Sequence, residues 1–204
     1  MKITLENVAS LDFAKSPLIP AIVQDQITGV VLMQGYMNLA ALEHTLQSEK
    51  VTFYSRSKER LWTKGESSGH FLLVGSVYTD CDKDAILVLA TAQGPTCHTG
   101  SQSCFFEARH EFAFLPELAK VIKERKNASP DSSYTASLFA KDKSRSAQKV
   151  GEEGVEVALA AMKDDNVELE NEAADLLYHL MVLLERQGTD LTNVINVLKA
   201  RHKN

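Results

Sequence analysis

The chain has 204 residues, 44% hydrophobic and 24% charged, with a formal net charge of −5. Acidic residues outnumber basic ones on both sides of residue 112, which argues against nucleic-acid binding by bulk electrostatics. No stretch approaches the roughly 20 apolar residues of a membrane span. The opening MKITLENVASLDFAKSPLIP also lacks an apolar export signal, so a cytoplasmic protein away from the membrane is expected. Three cysteines cannot form a complete disulfide set, and in that compartment they are thiols free to bind metal.

In chain order, PAIVQD (20–25) and GVVLMQGYM (29–37) read as strands joined by a tight turn. Asn38 then caps a helix carrying Leu39, Leu42 and Leu46 at helical spacing. VTFYS (51–55), HFLLVGSVYT (70–79) and AILVLATA (85–92) are three more strand-like runs. The period changes near residue 112. Pro116 and Glu117 open a helix that ends in KERK (123–126), and NASPDSS breaks it before Ser132 or Ser133 caps the next. Helical segments follow at about 144–163, 166–187 and 190–202, with Gly188 as a stop. The boundary falls at 112–116, between an α+β domain (1–114) and an all-α domain (115–204).

In TDCDKDAIL (79–87), a strand would put Asp80, Asp82 and Asp84 on one face and Cys81 on the other. Three carboxylates on one side suit Mg²⁺ or Ca²⁺, while the plain alternative is a hydrated strand end. An EF-hand is excluded, because its glycine and final glutamate positions hold Ala85 and Thr91. GPTCHTGSQSC (94–104) places Cys97 and Cys104 in a polar loop that is a poor place to bury two cysteines. With Cys81 they make three soft ligands for Zn²⁺ and leave a fourth position for water, the pattern of a catalytic zinc site. His98 stands as a fourth ligand or a proton-transfer group. A zinc nucleoside deaminase is disfavoured, since the Cys spacing is wrong and no H-x-E occurs. In YSRSKERLWTKGESSGH (54–70), Arg56, Lys58, Arg60 and Lys64 suit a phosphate contact or form a solvated face. Trp62 either packs or stacks on a base.

QGYMN (34–38), the 54–70 run, DCDKD (80–84) and the 94–105 loop together resemble the phosphoribosyl-AMP cyclohydrolases of histidine biosynthesis. The resemblance implies Mg²⁺ on Asp80, Asp82 and Asp84, and Zn²⁺ on Cys81, Cys97 and Cys104. It also implies a homodimer that shares the zinc ligands between subunits. The implied reaction is hydrolytic opening of the adenine ring at N1–C6 by a zinc-activated water.

In the second half, Glu152 and Glu156 share a helical face with Lys149, with Glu153 at its edge. Glu172, Asp175 and His179 share a face with Leu176 and Leu183, which aims those acids at the bundle interior, where metal would offset their charge. His179 reads as a core histidine. Lys141, Lys143, Arg145 and Lys149 form a candidate polyphosphate grip, and Lys149 joins His98 among the candidate catalytic groups. E-E-x-x-E followed by E-x-x-D resembles the MazG-like pyrophosphohydrolases, and KSRSAQKVGEEGVEVALAA resembles their phosphoribosyl-ATP pyrophosphatase branch. The motif maps to Glu152, Glu153, Glu156, Glu172 and Asp175, as Mg²⁺ ligands. A bifunctional, nucleotide-binding hydrolase is therefore expected, with the C-terminal domain acting first. Two rivals stand beside it: a general nucleotide pyrophosphohydrolase with an accessory zinc domain, and a metal-stabilised nucleotide-binding module without turnover.

Overall fold

The computed structural model describes residues 1–202. The chain divides into two compact units, Met1–Phe114 and the remainder from Leu115. In the first, strands β1 (Lys2–Ile3), β2 (Ile19–Asp25), β3 (Val31–Met37), β6 (Leu72–Thr79) and β7 (Ile86–Ala92) form one sheet in the order β1-β6-β7-β2-β3. β2 and β7 run parallel, and the other neighbours are antiparallel. The helix α1 (Leu39–Ser48) starts where Asn38 accepts a hydrogen bond from the Ala41 amide at 2.8 Å.

Alternation along the strands builds the core: Ile19, Ala21 and Val23 on β2 and Ile86, Val88 and Ala90 on β7 are buried. Ala41 and Leu42 of α1 belong to the same cluster. The Phe53 ring, also buried, crosses Gly35 so closely that a Cβ there would collide with it. That requirement explains the glycine in the middle of β3.

Two strands go beyond the expectation. β1 is short, and β5 (Arg60–Thr63), within the 54–70 run read as a phosphate contact or solvated face, pairs antiparallel with β4 (Thr52–Ser55). The charges of Arg56, Lys58, Glu59 and Arg60 hide this hairpin, while Trp62 anchors it by stacking on Phe53 at 5.8 Å. Packing is thus the role observed for Trp62. The run 80–84 corrects the expectation in the other direction. β6 ends at Thr79 and β7 begins at Ile86, so the three aspartates lie in a hairpin loop and not on a strand face.

The second unit is all-helical: α2 (Phe114–Arg125), α3 (Tyr134–Ala140), α4 (Lys143–Met162), α5 (Asn166–Arg186) and α6 (Leu191–His202). Pro116 sits inside the first turn of α2 and not at its first position. Ser133, Asp142 and Asp165 cap α3, α4 and α5 by accepting from amides two or three residues on. Gly188, at φ 73°, ends α5. The core here is small, comprising Ile122, Leu138, Met181 and Val182 with a partly buried fringe. α4 and α5 form a helical hairpin. Arg186 ties it to α3, donating to the carbonyls of Leu138 (2.6 Å) and Lys141 (3.0 Å). Among the described residues no helix is long and apolar enough to cross a membrane.

Candidate active sites

The loop from Asp80 to Asp84 folds around one carboxylate. Asp80 Oδ1 accepts from the amides of Asp84 (3.1 Å) and Ala85 (3.2 Å), which turns the chain, and Lys83 takes a left-handed φ of 64°. Ligand oxygens of Asp80, Asp82 and Asp84 come within 4.8 Å of one another. Crowded carboxylates of this kind repel unless a cation joins them, and an oxygen-only set suits a hard divalent ion. Lys15, remote in sequence, supplies part of the compensation. It pairs with Asp84 and stands 3.9 Å from Asp82, and its pKa is raised by the hydrogen bond to Asp84. Nothing near Lys15 in the sequence signals that role.

Cys97 and Cys104 occupy the loop after β7. Cys104 donates its amide to the Leu32 carbonyl at 2.8 Å, and the Ser103 hydroxyl donates to the Val31 carbonyl at 2.7 Å. Both bonds pin the loop to β3. The Thr99 hydroxyl donates to the Cys97 sulfur at 3.1 Å and holds that thiol below the ordinary cysteine value. Burial pushes the Cys104 thiol up, with the neighbouring Cys97 acting in the same direction. The part played by Thr99 was missed from sequence, although a threonine two residues after Cys97 is a local signal that could have found it. His98 is exposed, its Nδ1 3.8 Å from the Cys97 sulfur. Cys81, exposed in the aspartate loop, is not brought together with Cys97 and Cys104: among the described residues the three thiols form no ligand cluster within one chain. Two adjacent thiols, one favoured as thiolate, fit a soft metal. They leave it short of the third thiol.

The basic residues of 54–70 separate into different environments. Arg56 lies over the Tyr36 ring at 4.1 Å, and Arg60 pairs with Glu66 at 2.7 Å. Lys58 is exposed, whereas Lys64 is buried and donates to the His70 carbonyl at 3.2 Å. Burial lowers the Lys64 pKa, opposed by Cys104 and Cys97. Gly65 (φ 96°) makes this approach possible, since a Cβ would stand 2.6 Å from the His70 backbone.

In the helical unit, α4 and α5 bring Glu153, Glu156 and Glu172 within 4.8 Å of one another. Glu153 is buried, and Glu156 is exposed. Lys149 pairs with Glu153 and, at 3.1 Å, with Glu152; the bond to Glu153 drives the Lys149 pKa well above the usual lysine range. The same contact holds Glu153 below its ordinary value, and the bond from Lys149 does so for Glu152. Glu156 moves up, chiefly because it shares a hydrogen bond with Glu153. Glu152 is turned away to Arg145 (3.4 Å) and Gln148 (2.7 Å). The expectation that the α5 acids face the interior needs correction. Asp175 is exposed and outside the three-carboxylate group, because the apolar packing of α5 is carried by Met181, Val182 and their neighbours nearer its C-terminal end. His179 is buried against Tyr178 and Tyr134, its Nε2 3.8 Å from Glu153 and its Nδ1 without a hydrogen-bond partner among the described residues; burial lowers its pKa. Lys141 and Lys143 are exposed at the start of α4.

Two carboxylate triads and a thiol pair, carried by two units, are the candidate centres, and comparison with known proteins shows the class of enzyme. The family model of phosphoribosyl-AMP cyclohydrolase matches residues 33–106, and that of phosphoribosyl-ATP pyrophosphohydrolase matches residues 115–202. The chain is 56% identical over 202 residues to the histidine biosynthesis bifunctional protein HisIE of Escherichia coli (strain K12), covering 98% of this chain and 100% of that one. Identity is 55% over 202 residues to the HisIE protein of Salmonella typhimurium and 56% over 200 residues to that of Photorhabdus laumondii, with the same coverage. The chain belongs to this family of bifunctional histidine-biosynthesis enzymes and carries both a cyclohydrolase and a pyrophosphohydrolase. Its substrates are small phosphoribosyl nucleotides.

Proposed function

We propose that the two activities run in the order opposite to the chain. The domain from residue 115 releases pyrophosphate from phosphoribosyl-ATP, and the domain ending at 114 then opens the adenine ring of phosphoribosyl-AMP at N1–C6. The order follows from the two substrates, since loss of pyrophosphate from phosphoribosyl-ATP leaves phosphoribosyl-AMP. The observation that supports one centre per domain is that each carboxylate triad lies wholly within one compact unit, and each unit contains one of the two family matches.

In the helical domain Glu153, Glu156 and Glu172 would hold Mg²⁺, with Glu152 and Asp175 flanking them. Magnesium bound there neutralises phosphate charge and orients the attacking water. Lys149 keeps Glu152 and Glu153 ionised and is placed to contact the charge that develops on the phosphates. Lys141, Lys143 and Arg145 grip the rest of the polyphosphate.

In the cyclohydrolase domain Asp80, Asp82 and Asp84 would hold Mg²⁺ and position the phosphoribosyl substrate, with Arg56, Lys58, Arg60 and Lys64 on its phosphate and ribose side. Cys97 and Cys104 of one subunit and Cys81 of a second copy would hold Zn²⁺ in a cytoplasmic homodimer. Zinc bound there lowers the pKa of water to about 7. Exposed His98, beside the Cys97 sulfur, is the group placed to take or return a proton.

A time course on phosphoribosyl-ATP alone tests the order. Pyrophosphate should appear without delay and the ring-opened product after a lag, which vanishes when phosphoribosyl-AMP is supplied. Ring opening that runs ahead of pyrophosphate release contradicts the order.

A further inference from the structure

Tyr134 opens α3 with 56% of its surface exposed, although its ring is held by two neighbours. It stacks on Tyr178, with centroids 6.3 Å apart and planes at 27°, and meets the His179 ring edge-on at 6.0 Å and 81°. Tyr178 is anchored in turn by a 2.8 Å hydrogen bond between its hydroxyl and that of Thr135. His179 Nε2 lies 3.8 Å from Glu153. A solvent-facing aromatic ring in contact with two neighbouring rings is therefore separated from the buried carboxylate by a single imidazole. On the first turns of α4, Lys149 pairs with the same Glu153 and Arg145 with the adjoining Glu152.

The substrate of this half presents a purine with a ribosyl group on N1. Alkylation at that nitrogen leaves the ring cationic once the exocyclic nitrogen is protonated. An aromatic face attracts any base by stacking, and a delocalised cation more strongly. A ring already fixed by Tyr178 and His179 loses little freedom when a base settles on it.

We propose that Tyr134 is the base platform of the pyrophosphatase site, stacking the purine and favouring the N1-substituted base over that of ordinary ATP. This rests on the reading that Glu153, Glu156 and Glu172 form the pyrophosphatase centre. Tyr134 is thus a specificity residue, and the carboxylates act on the triphosphate whatever base it carries.

The test compares Tyr134→Ala, Tyr134→Phe and Tyr134→Trp in the full chain, following pyrophosphate release from phosphoribosyl-ATP with ATP and inorganic tripolyphosphate as competitors. Tyr134→Ala should raise KM about tenfold, the scale of one base–aromatic stack, and leave kcat within about twofold of wild type. Tyr134→Phe and Tyr134→Trp should restore KM. The inhibition constant of ATP should rise in Tyr134→Ala while that of tripolyphosphate stays fixed. An unchanged KM in Tyr134→Ala overturns the proposal. So does an equal weakening of ATP and tripolyphosphate, which would mark general damage to the site, or a Phe variant as impaired as the Ala variant. Glu153→Gln, measured alongside, separates the two assignments. If it still releases pyrophosphate, the placement of the centre is wrong. If it is inactive while Tyr134→Ala behaves as wild type, only the platform is wrong.

Discussion

Asp80, Asp82 and Asp84 meet inside one turn of chain, held by amides within the same loop, whereas Glu153, Glu156 and Glu172 meet only because α4 packs on α5. The first triad needs little beyond the hairpin that carries it, and that hairpin joins two central strands over a large apolar core. The second depends on the packing of α4 on α5, in a unit whose buried apolar cluster is small. The same arrangement, three crowded carboxylates, thus rests on local backbone geometry in one domain and on tertiary packing in the other. The thiols add a third case, since packing within one chain brings Cys97 and Cys104 close and leaves Cys81 apart.

The largest expected effect would break the comparison at that third case. Cys81→Ser and Cys97→Ser should each lower ring opening more than ~100-fold, beyond the cost of outer-shell changes at metal sites. Mixing the two unfolded and refolded variants in equal amounts should restore about a quarter of wild-type activity, because half the dimers are mixed and each has one intact site of two. No recovery on mixing would place all three thiols in one subunit.

Next in size is the dependence of the helical triad on packing. Met181→Ala, at a buried position, should cost about 2–5 kcal/mol. Pyrophosphate release should then fail at lower temperature than ring opening, when both are followed through a thermal ramp. Simultaneous loss would mean the two units unfold together.

Within the loop, Asp82→Asn should keep zinc near full occupancy by metal analysis and still turn over poorly. Zinc lost together with the aspartate would merge the two metals into one site. The smallest effect belongs to Lys15, whose ammonium competes with any cation for Asp84. Lys15→Ala should tighten Mg²⁺ binding to the cyclohydrolase domain by about two- to fivefold, as removal of one exposed competing charge implies. Weakened Mg²⁺ binding would make Lys15 a support of the loop instead of a competitor.

Legibility followed the same division. The apolar strands, the Asn38 cap and the helical half could be read because periodicity and capping are local properties. β5 could not, since Arg60 and its neighbours are charged and the segment becomes a strand by pairing with β4, where Trp62 lies opposite Phe53. The aspartates were recognisable as a cluster for an incomplete reason. Alternation on a strand would also gather them, but the observed cause is Asp80, which turns the chain by accepting from the amides of Asp84 and Ala85. On α4 and α5 the acidic motif was plain, yet spacing alone did not distinguish buried Glu153 from exposed Asp175, or show that Lys149 would hold both Glu152 and Glu153. Those distinctions come from which helix packs where.

The central claim is that two independent centres share one chain, and Glu153→Gln tests it most directly. Pyrophosphate release from phosphoribosyl-ATP and ring opening of phosphoribosyl-AMP are measured in parallel on the purified variant, with circular dichroism to confirm that the helices remain. Pyrophosphate release should fall by more than the ~100-fold typical of outer-shell changes, while ring opening proceeds at the wild-type rate. Pyrophosphate release at the wild-type rate, or loss of both activities in a folded protein, would contradict the claim.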